Sequence, residues 1–96
     1  MNISVIGGGS WGTALTFILS KKNKINWWLR REKLATQIKN KKRNTKYLTS
    51  CTLNLKNITI TTNLETALNS CDLIIVAVPS SFIEETFNSF PNLLKL

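Results

Sequence analysis

Six consecutive residues, Gly7-Gly8-Gly9-Ser10-Trp11-Gly12, fit the pattern G-x-G-x-x-G. The pattern alone is weak. It gains meaning when a strand precedes it and a helix follows. Both are predicted here. Asn2-Ile-Ser-Val-Ile6 is a short, β-rich apolar run. Trp11, Ala14, Leu15, Ile18 and Leu19 recur at the i, i+3, i+4 spacing of a helix. In that setting Gly7 permits the tight turn out of the strand. Gly9 has no Cβ to hold off a pyrophosphate, and Gly12 lets the helix pack close to the strand. Ser10 is the expected N-cap. The N–H groups of the first helical turn, from Ser10 onward, present the positive end of the helix dipole to an anion. The chemistry indicated is dinucleotide binding. The competing reading is a glycine turn with no ligand.

The residues closing the second strand bear on the ribose. An NAD-selective domain often places Asp or Glu there to accept from the 2′-hydroxyl. Leu29, Arg30 and Arg31 stand there instead, and the first acid is Glu32, already in the next predicted helix. Paired arginines suit a 2′-phosphate, which a guanidinium binds as a fork. NADP(H) is therefore expected to bind at least as well as NAD(H). Arg30 can alternatively stack on adenine, Glu32 can reach back to the ribose, or both arginines are simply solvated.

Other chemistries are excluded by what is missing. The chain has no histidine, so no Ser-His or Cys-His catalytic arrangement exists in it. Cys51 and Cys71 form no C-x-x-C pair, and no metal site is expected. They read as free thiols of a reducing, cytoplasmic setting. The longest apolar run, Leu73 to Val78, is too short to span a membrane. Charge is uneven. Residues 21–56 hold twelve of the thirteen Lys and Arg against one acid, Glu32, within a net charge of +8. Such a segment attracts phosphate, whether of a nucleotide or a nucleic acid. The abundance of Lys, Asn and Ile is also what an AT-rich coding sequence produces.

The elements that must position these residues alternate along the chain. A second strand is predicted over Ile25–Leu29, a helix over Arg31–Ile38, and a polar, basic loop over Asn40–Lys56. Ile58–Thr61 reads as a third strand, and Thr62-Asn-Leu-Glu65 as a capping box opening a helix to Asn69. Leu73–Val78 reads as a fourth strand, apolar on both faces as in a covered parallel sheet. Ser81-Phe-Ile-Glu84 reads as a further capping box. Alternating strands and helices specify an α/β fold: a partial Rossmann fold, with a parallel sheet of order 3-2-1-4 and helices on both faces. Ninety-six residues make one domain. Asp72 and Cys71 enter the fourth strand at its N-terminal end, away from where ligands bind, and read as structural. Trp27 and Trp28 point to opposite faces, so at least one is core.

Residues Asn2 to Gly12, Trp28-Leu-Arg-Arg31, Lys46-Tyr47-Leu48 and Asp72-Leu-Ile-Ile-Val-Ala-Val-Pro-Ser80 together resemble the N-terminal part of NAD(P)-dependent glycerol-3-phosphate dehydrogenase. The run Ser10-Trp11-Gly12-Thr13-Ala14-Leu15 is family-like residue for residue. The resemblance implies hydride transfer between NAD(P)H and dihydroxyacetone phosphate, giving sn-glycerol 3-phosphate for glycerophospholipid synthesis. It implies that Ser10, Trp11, Arg30, Arg31 and Tyr47 contact the dinucleotide. Phe82 matches a family position near the cofactor, with plain core packing as its alternative.

Departures from the family are equally informative. Residues 1–96 match the N-terminal part of a dinucleotide-binding domain. The family's catalytic lysine follows a fifth strand that residues 1–96 do not reach, Lys95 stands too early, and the helical substrate domain is expected to be missing. No catalytic residue is therefore assigned, and the chain alone is expected to be inactive. Gly8 replaces the usual Ala, and Thr49 stands where Pro is common. The fourth strand is expected to be an exposed edge open to self-association. Two rivals remain: a fragment of a ketopantoate-reductase-like dehydrogenase, and a non-catalytic basic module for nucleotides or nucleic acid. Ser-Trp-Gly-Thr opposes the first. The lack of aromatics across Lys39 to Lys46 opposes the second.

Overall fold

Four β-rich runs and three helices alternate in the computed structural model, which describes residues 1–46, 48, 50–69, 71–79, 84, 85 and 88. They are β1 (Asn2–Ile6), α1 (Ser10–Leu19), β2 (Lys24–Trp28), α2 (Glu32–Lys41), β3 (Ile58–Thr61), α3 (Leu64–Leu68) and β4 (Leu73–Val76). The strands form one sheet in the order β3-β2-β1-β4, and every pairing is parallel. This is the expected partial Rossmann arrangement.

Strand alternation sorts the core into two layers. Ile3, Val5, Ile25, Trp27, Ile58 and Ile60 face one side, where Ala35 and Ile38 of α2 cover them and Phe17 and Leu19 of α1 add partial cover. Ile6 and Trp28 face the other side, against Leu64 and Ala67 of α3. Ser4 shares that second face and donates its hydroxyl to the Ala67 carbonyl, which satisfies a fully buried polar group. Both adjacent tryptophans are buried, one on each face, and each indole N–H finds a carbonyl. Trp27 Nε1 donates to Gly7 O at 2.7 Å, and Trp28 Nε1 donates to Thr62 O at 2.9 Å.

Several local expectations are corrected. The N-cap of α1 is Gly9, and Ser10 is already the first helical residue. The buried face of α1 is Gly12, Thr13 and Thr16, whereas Trp11 and Ile18 are 74% and 59% exposed. The reason is steric. A helix springing directly from a tight turn lies too close to the sheet for large side chains, so small residues face inward. Asn63, not Thr62, caps α3, its side chain accepting from the Thr66 N–H at 3.1 Å. The Thr62 hydroxyl donates instead to Glu32 Oε2 at 2.9 Å. The strand expected to reach Val78 ends at Val76. The expectation that β4 is covered on both faces is not met: Ile75 alone packs against a core layer, and only in part. Leu73, Ile74 and Val76 are 46%, 45% and 42% exposed. The Ser81–Glu84 capping box falls largely outside the described residues.

The basic loop after α2 is irregular but anchored. Lys42 adopts the left-handed conformation that closes α2, with its N–H on Ile38 O at 2.8 Å. Its own carbonyl accepts from Leu53 N, and Leu53 is buried in the first core layer. At the opposite end of the sheet Asp72 is structural, as expected. Its carboxylate accepts from Asn2 N at 2.9 Å, and its N–H donates to Asn2 O at 2.7 Å.

Among the described residues Thr16 Oγ1 is buried with no hydrogen-bond partner. Thr16→Val removes that desolvated hydroxyl at nearly constant volume. Stability rises by about 1 kcal/mol, or roughly 4–8 °C in melting temperature by calorimetry. A lower melting temperature would contradict this account of the α1–sheet contact.

Candidate functional site

The turn between β1 and α1 is built from carbonyls that other parts of the fold hold in place. Gly7 has φ +127°, a conformation that glycine alone adopts without strain. A Cβ on Gly7 would lie 2.5 Å from Ala77 O, in the segment following β4. A Cβ on Gly12 would lie 2.0 Å from Gly7 O. The glycine expected to let α1 pack against the strand therefore packs on the turn itself. The Gly7 carbonyl is also the acceptor of the Trp27 indole. Gly9 is different: nothing lies within 4 Å of where its Cβ would be. That open space suits the close backbone approach expected of a pyrophosphate.

A cleft of about 540 Å³ opens beside this turn. Gly7 to Trp11 form one wall with Leu15, Val76 to Pro79 form the opposite wall, and Trp28 and Arg30 close the end. The cleft lies at the carboxyl ends of the strands. The strand order reverses there, running from β1 outward to β2 and β3 on one side and returning to β4 on the other, which is the switch point where open α/β sheets bind ligands. The first turn of α1 contains no acid, so nothing offsets its positive end. Among the described residues the N–H groups of Gly8 and Gly9 have no protein partner.

The structure brings Gly7, Gly9, Ser10, Trp11 and Arg30 together in the cleft walls and places Gly12 beneath the turn. It separates the two arginines. Arg30 lines the cleft, and its Nη2 lies 3.4 Å from Glu85 Oε1 in an exposed ion pair. Arg31 is the exposed N-cap residue of α2 and does not line the cleft. Tyr47 and Phe82 lie outside the described residues. Glu32 opens α2 as expected and is engaged by Thr62. Among the described residues no group of His, Cys, Asp and Glu could hold a metal.

Two residues of the site were not foreseen. Trp27 read only as a core candidate, yet its indole secures the Gly7 carbonyl. Asn44 read as one more polar residue of a basic loop. It is fully buried and donates to Gly8 O at 3.0 Å and Thr13 Oγ1 at 2.9 Å. No spacing rule links it to the turn, because it lies 36 positions from Gly8, with α1, β2 and α2 between them. Gly8 itself suits Leu29, whose Cδ2 would be 2.5 Å from a Cβ there. The alanine usual at this position would require Leu29 to shift.

The model of the family described as NAD-dependent glycerol-3-phosphate dehydrogenase N-terminus matches residues 2–96. The chain belongs to that family. A relative from Chlorobium limicola, named glycerol-3-phosphate dehydrogenase [NAD(P)+], is 33% identical over 94 residues. That match covers 97% of this chain and 28% of the relative. A relative of the same name from Rickettsia bellii is 44% identical over 85 residues, covering 88% of this chain and 26% of its own length. The crystal structure of glycerol-3-phosphate dehydrogenase from Coxiella burnetii superposes with a TM-score of 0.86 at 26% identity, covering 96% of this chain and 28% of that one. The chain thus spans under a third of the relatives it matches and corresponds to the N-terminal part of the family.

The glycine contacts yield a paired expectation. Gly12→Ala drives a Cβ into a main-chain carbonyl and lowers stability by about 3 kcal/mol or more. Gly9→Ala meets open space and changes stability by less than about 1 kcal/mol. Thermal denaturation of both variants checks this, and equal losses would refute it.

Proposed function

We propose that the chain is the nucleotide-binding part of a glycerol-3-phosphate dehydrogenase. In this reading it holds NAD(P)H for the interconversion of dihydroxyacetone phosphate and sn-glycerol 3-phosphate in glycerophospholipid synthesis in the cytoplasm. The observation that carries the reading is the glycine turn at the switch point, open at Gly9 and backed by an α1 N-terminus without acids. The residues fit the cofactor. Gly7, Gly9 and Ser10 would hold the pyrophosphate, with Gly12 keeping the turn tight beneath it. Trp11, Arg30, Arg31, Tyr47 and Phe82 would surround the nucleosides. When bound, the nicotinamide takes up or delivers the hydride. The chain's own residues bind and orient it, and no catalytic residue is assigned among them.

NADP(H) is expected to bind at least as well as NAD(H). Among the described residues no carboxylate lines the cleft, the one beside Arg30 being Glu85 in an exposed ion pair, and Glu32 is engaged by Thr62. The Arg30–Glu85 pair is exposed on both sides, so it offers little resistance to a change of partner. Losing one charge-assisted hydrogen bond weakens binding roughly tenfold. Fluorescence titration should therefore show Arg31→Ala weakening NADPH by about that factor while leaving NADH unchanged. Equal weakening of both by Arg30→Ala would assign Arg30 to adenine stacking. The preference is refuted if NADH binds clearly tighter, or if Arg31→Ala weakens both alike. Binding of duplex DNA but neither cofactor, with steep salt dependence, would favour a basic nucleic-acid module.

The edge of β4 is proposed to pair with other copies of the chain. β4 pairs only with β1 among the described residues and exposes Leu73, Ile74 and Val76. Sedimentation velocity should show dimers or larger species that Ile74→Lys shifts toward monomer. A strictly monomeric wild type would refute self-association.

A further inference from the structure

We propose that Asn44 is a positioning residue of the dinucleotide turn: its side-chain amide fixes the Gly8–Gly9 peptide so that the Gly9 N–H is held toward the cleft for a pyrophosphate oxygen. The proposal rests on the reading of the cleft as a dinucleotide site.

Asn44 is 0% exposed, although Lys42, Arg43, Thr45 and Lys46 around it are all exposed. Burial of a primary amide is unfavourable unless its groups are paired. Here Nδ2 donates to Gly8 O at 3.0 Å and to Thr13 Oγ1 at 2.9 Å, while Oδ1 accepts from Lys46 N at 2.9 Å. One side chain thus ties together the glycine turn, the first turns of α1 and the loop after α2.

The consequence for the turn is geometric. In a trans peptide the C=O and the following N–H point in opposite directions. Drawing the Gly8 carbonyl toward buried Asn44 therefore turns the Gly9 N–H the other way. Gly9 lines the cleft, and its N–H has no protein partner among the described residues. A run of three glycines has little conformational preference of its own, so an unanchored peptide there would sample several orientations. The indole of Trp27 anchors the preceding peptide through Gly7 O in the same manner. Ordering the turn before the ligand arrives lowers the entropic cost of binding.

The contact also reports on occupancy. An anion on the Gly9 N–H polarises the Gly8–Gly9 peptide, and its carbonyl becomes a stronger acceptor for Asn44. Nuclear magnetic resonance of the ¹⁵N-labelled chain, titrated with NADH, inorganic pyrophosphate and adenosine, tests this. The Gly9 amide proton and an Asn44 Nδ2 proton should move downfield together, with one midpoint, for NADH and pyrophosphate. Adenosine should move neither. Asn44→Asp keeps the acceptor for Lys46 N but removes both donors. It should weaken NADH about tenfold and leave adenosine affinity unchanged, the order of one lost charge-assisted hydrogen bond. If Asn44→Asp does not fold, the wild-type titration decides alone. The proposal is overturned if Gly9 responds while Asn44 does not. It is equally overturned if a folded Asn44→Asp binds NADH as wild type does, or loses NADH and adenosine in equal proportion. Failure of NADH and pyrophosphate to move Gly9 in the wild type would instead remove the dinucleotide reading itself, and the positioning role with it.

Discussion

The Gly7 carbonyl is the point on which the architecture converges. The backbone of α1 reaches it so closely at Gly12 that no other side chain fits, and the indole of β2 donates to it from below. That closeness decides which face of α1 meets the sheet. Gly12, Thr13 and Thr16 are small enough to be buried there, whereas Trp11 and Ile18 turn outward and Phe17 and Leu19 reach the core only in part. Trp11 and Leu15 thereby become walls of the cleft rather than core. One steric constraint thus shapes both the packing of the helix and the surface that a ligand would meet.

Around this point the sheet supplies rigidity and the loops supply chemistry. Two buried core layers hold β1 and β2 in register, with Val5 opposite Trp27 and Ile6 opposite Trp28. Their carboxyl ends fix the glycine turn, Trp28 and Arg30 relative to one another. The segment after β4 completes the cleft, with Ala77 N donating to Ile6 O at 2.7 Å. Charge contributes differently. The many lysines of residues 21–56 are exposed and spread over two helix ends and a loop. Among the described residues of that segment, Arg30 and Trp28 alone border the cleft. A strongly basic stretch of sequence therefore does not become one basic surface at the site.

Hydrogen bonding from outside the motif is what converts a flexible glycine run into a defined turn. Trp27 holds one peptide and Asn44 the next, each from a buried position where water cannot compete. In such surroundings a satisfied polar group favours one arrangement over its alternatives, because every alternative leaves a buried donor unpaired.

Strand positions, parallel order and the glycine motif were legible in the sequence, because each depends on local patterning: β-rich runs, turn residues and fixed short spacings. Ile58–Thr61 and the break after Ile6 are cases where neighbouring residues suffice. The family was legible for the same reason, through Ser10-Trp11-Gly12-Thr13-Ala14-Leu15 and the matching runs that follow. What tertiary structure decided was orientation and long-range contact. Apolar periodicity in α1 marks a stripe but cannot say that a turn carbonyl holds the helix too close for that stripe to face inward. Adjacent arginines look alike in sequence, yet one borders the cleft while the other caps a helix. Asn44 carries no signal in a Lys-rich loop, since its partners Gly8 and Thr13 become neighbours only when α2 packs on the sheet and returns the chain beside the turn.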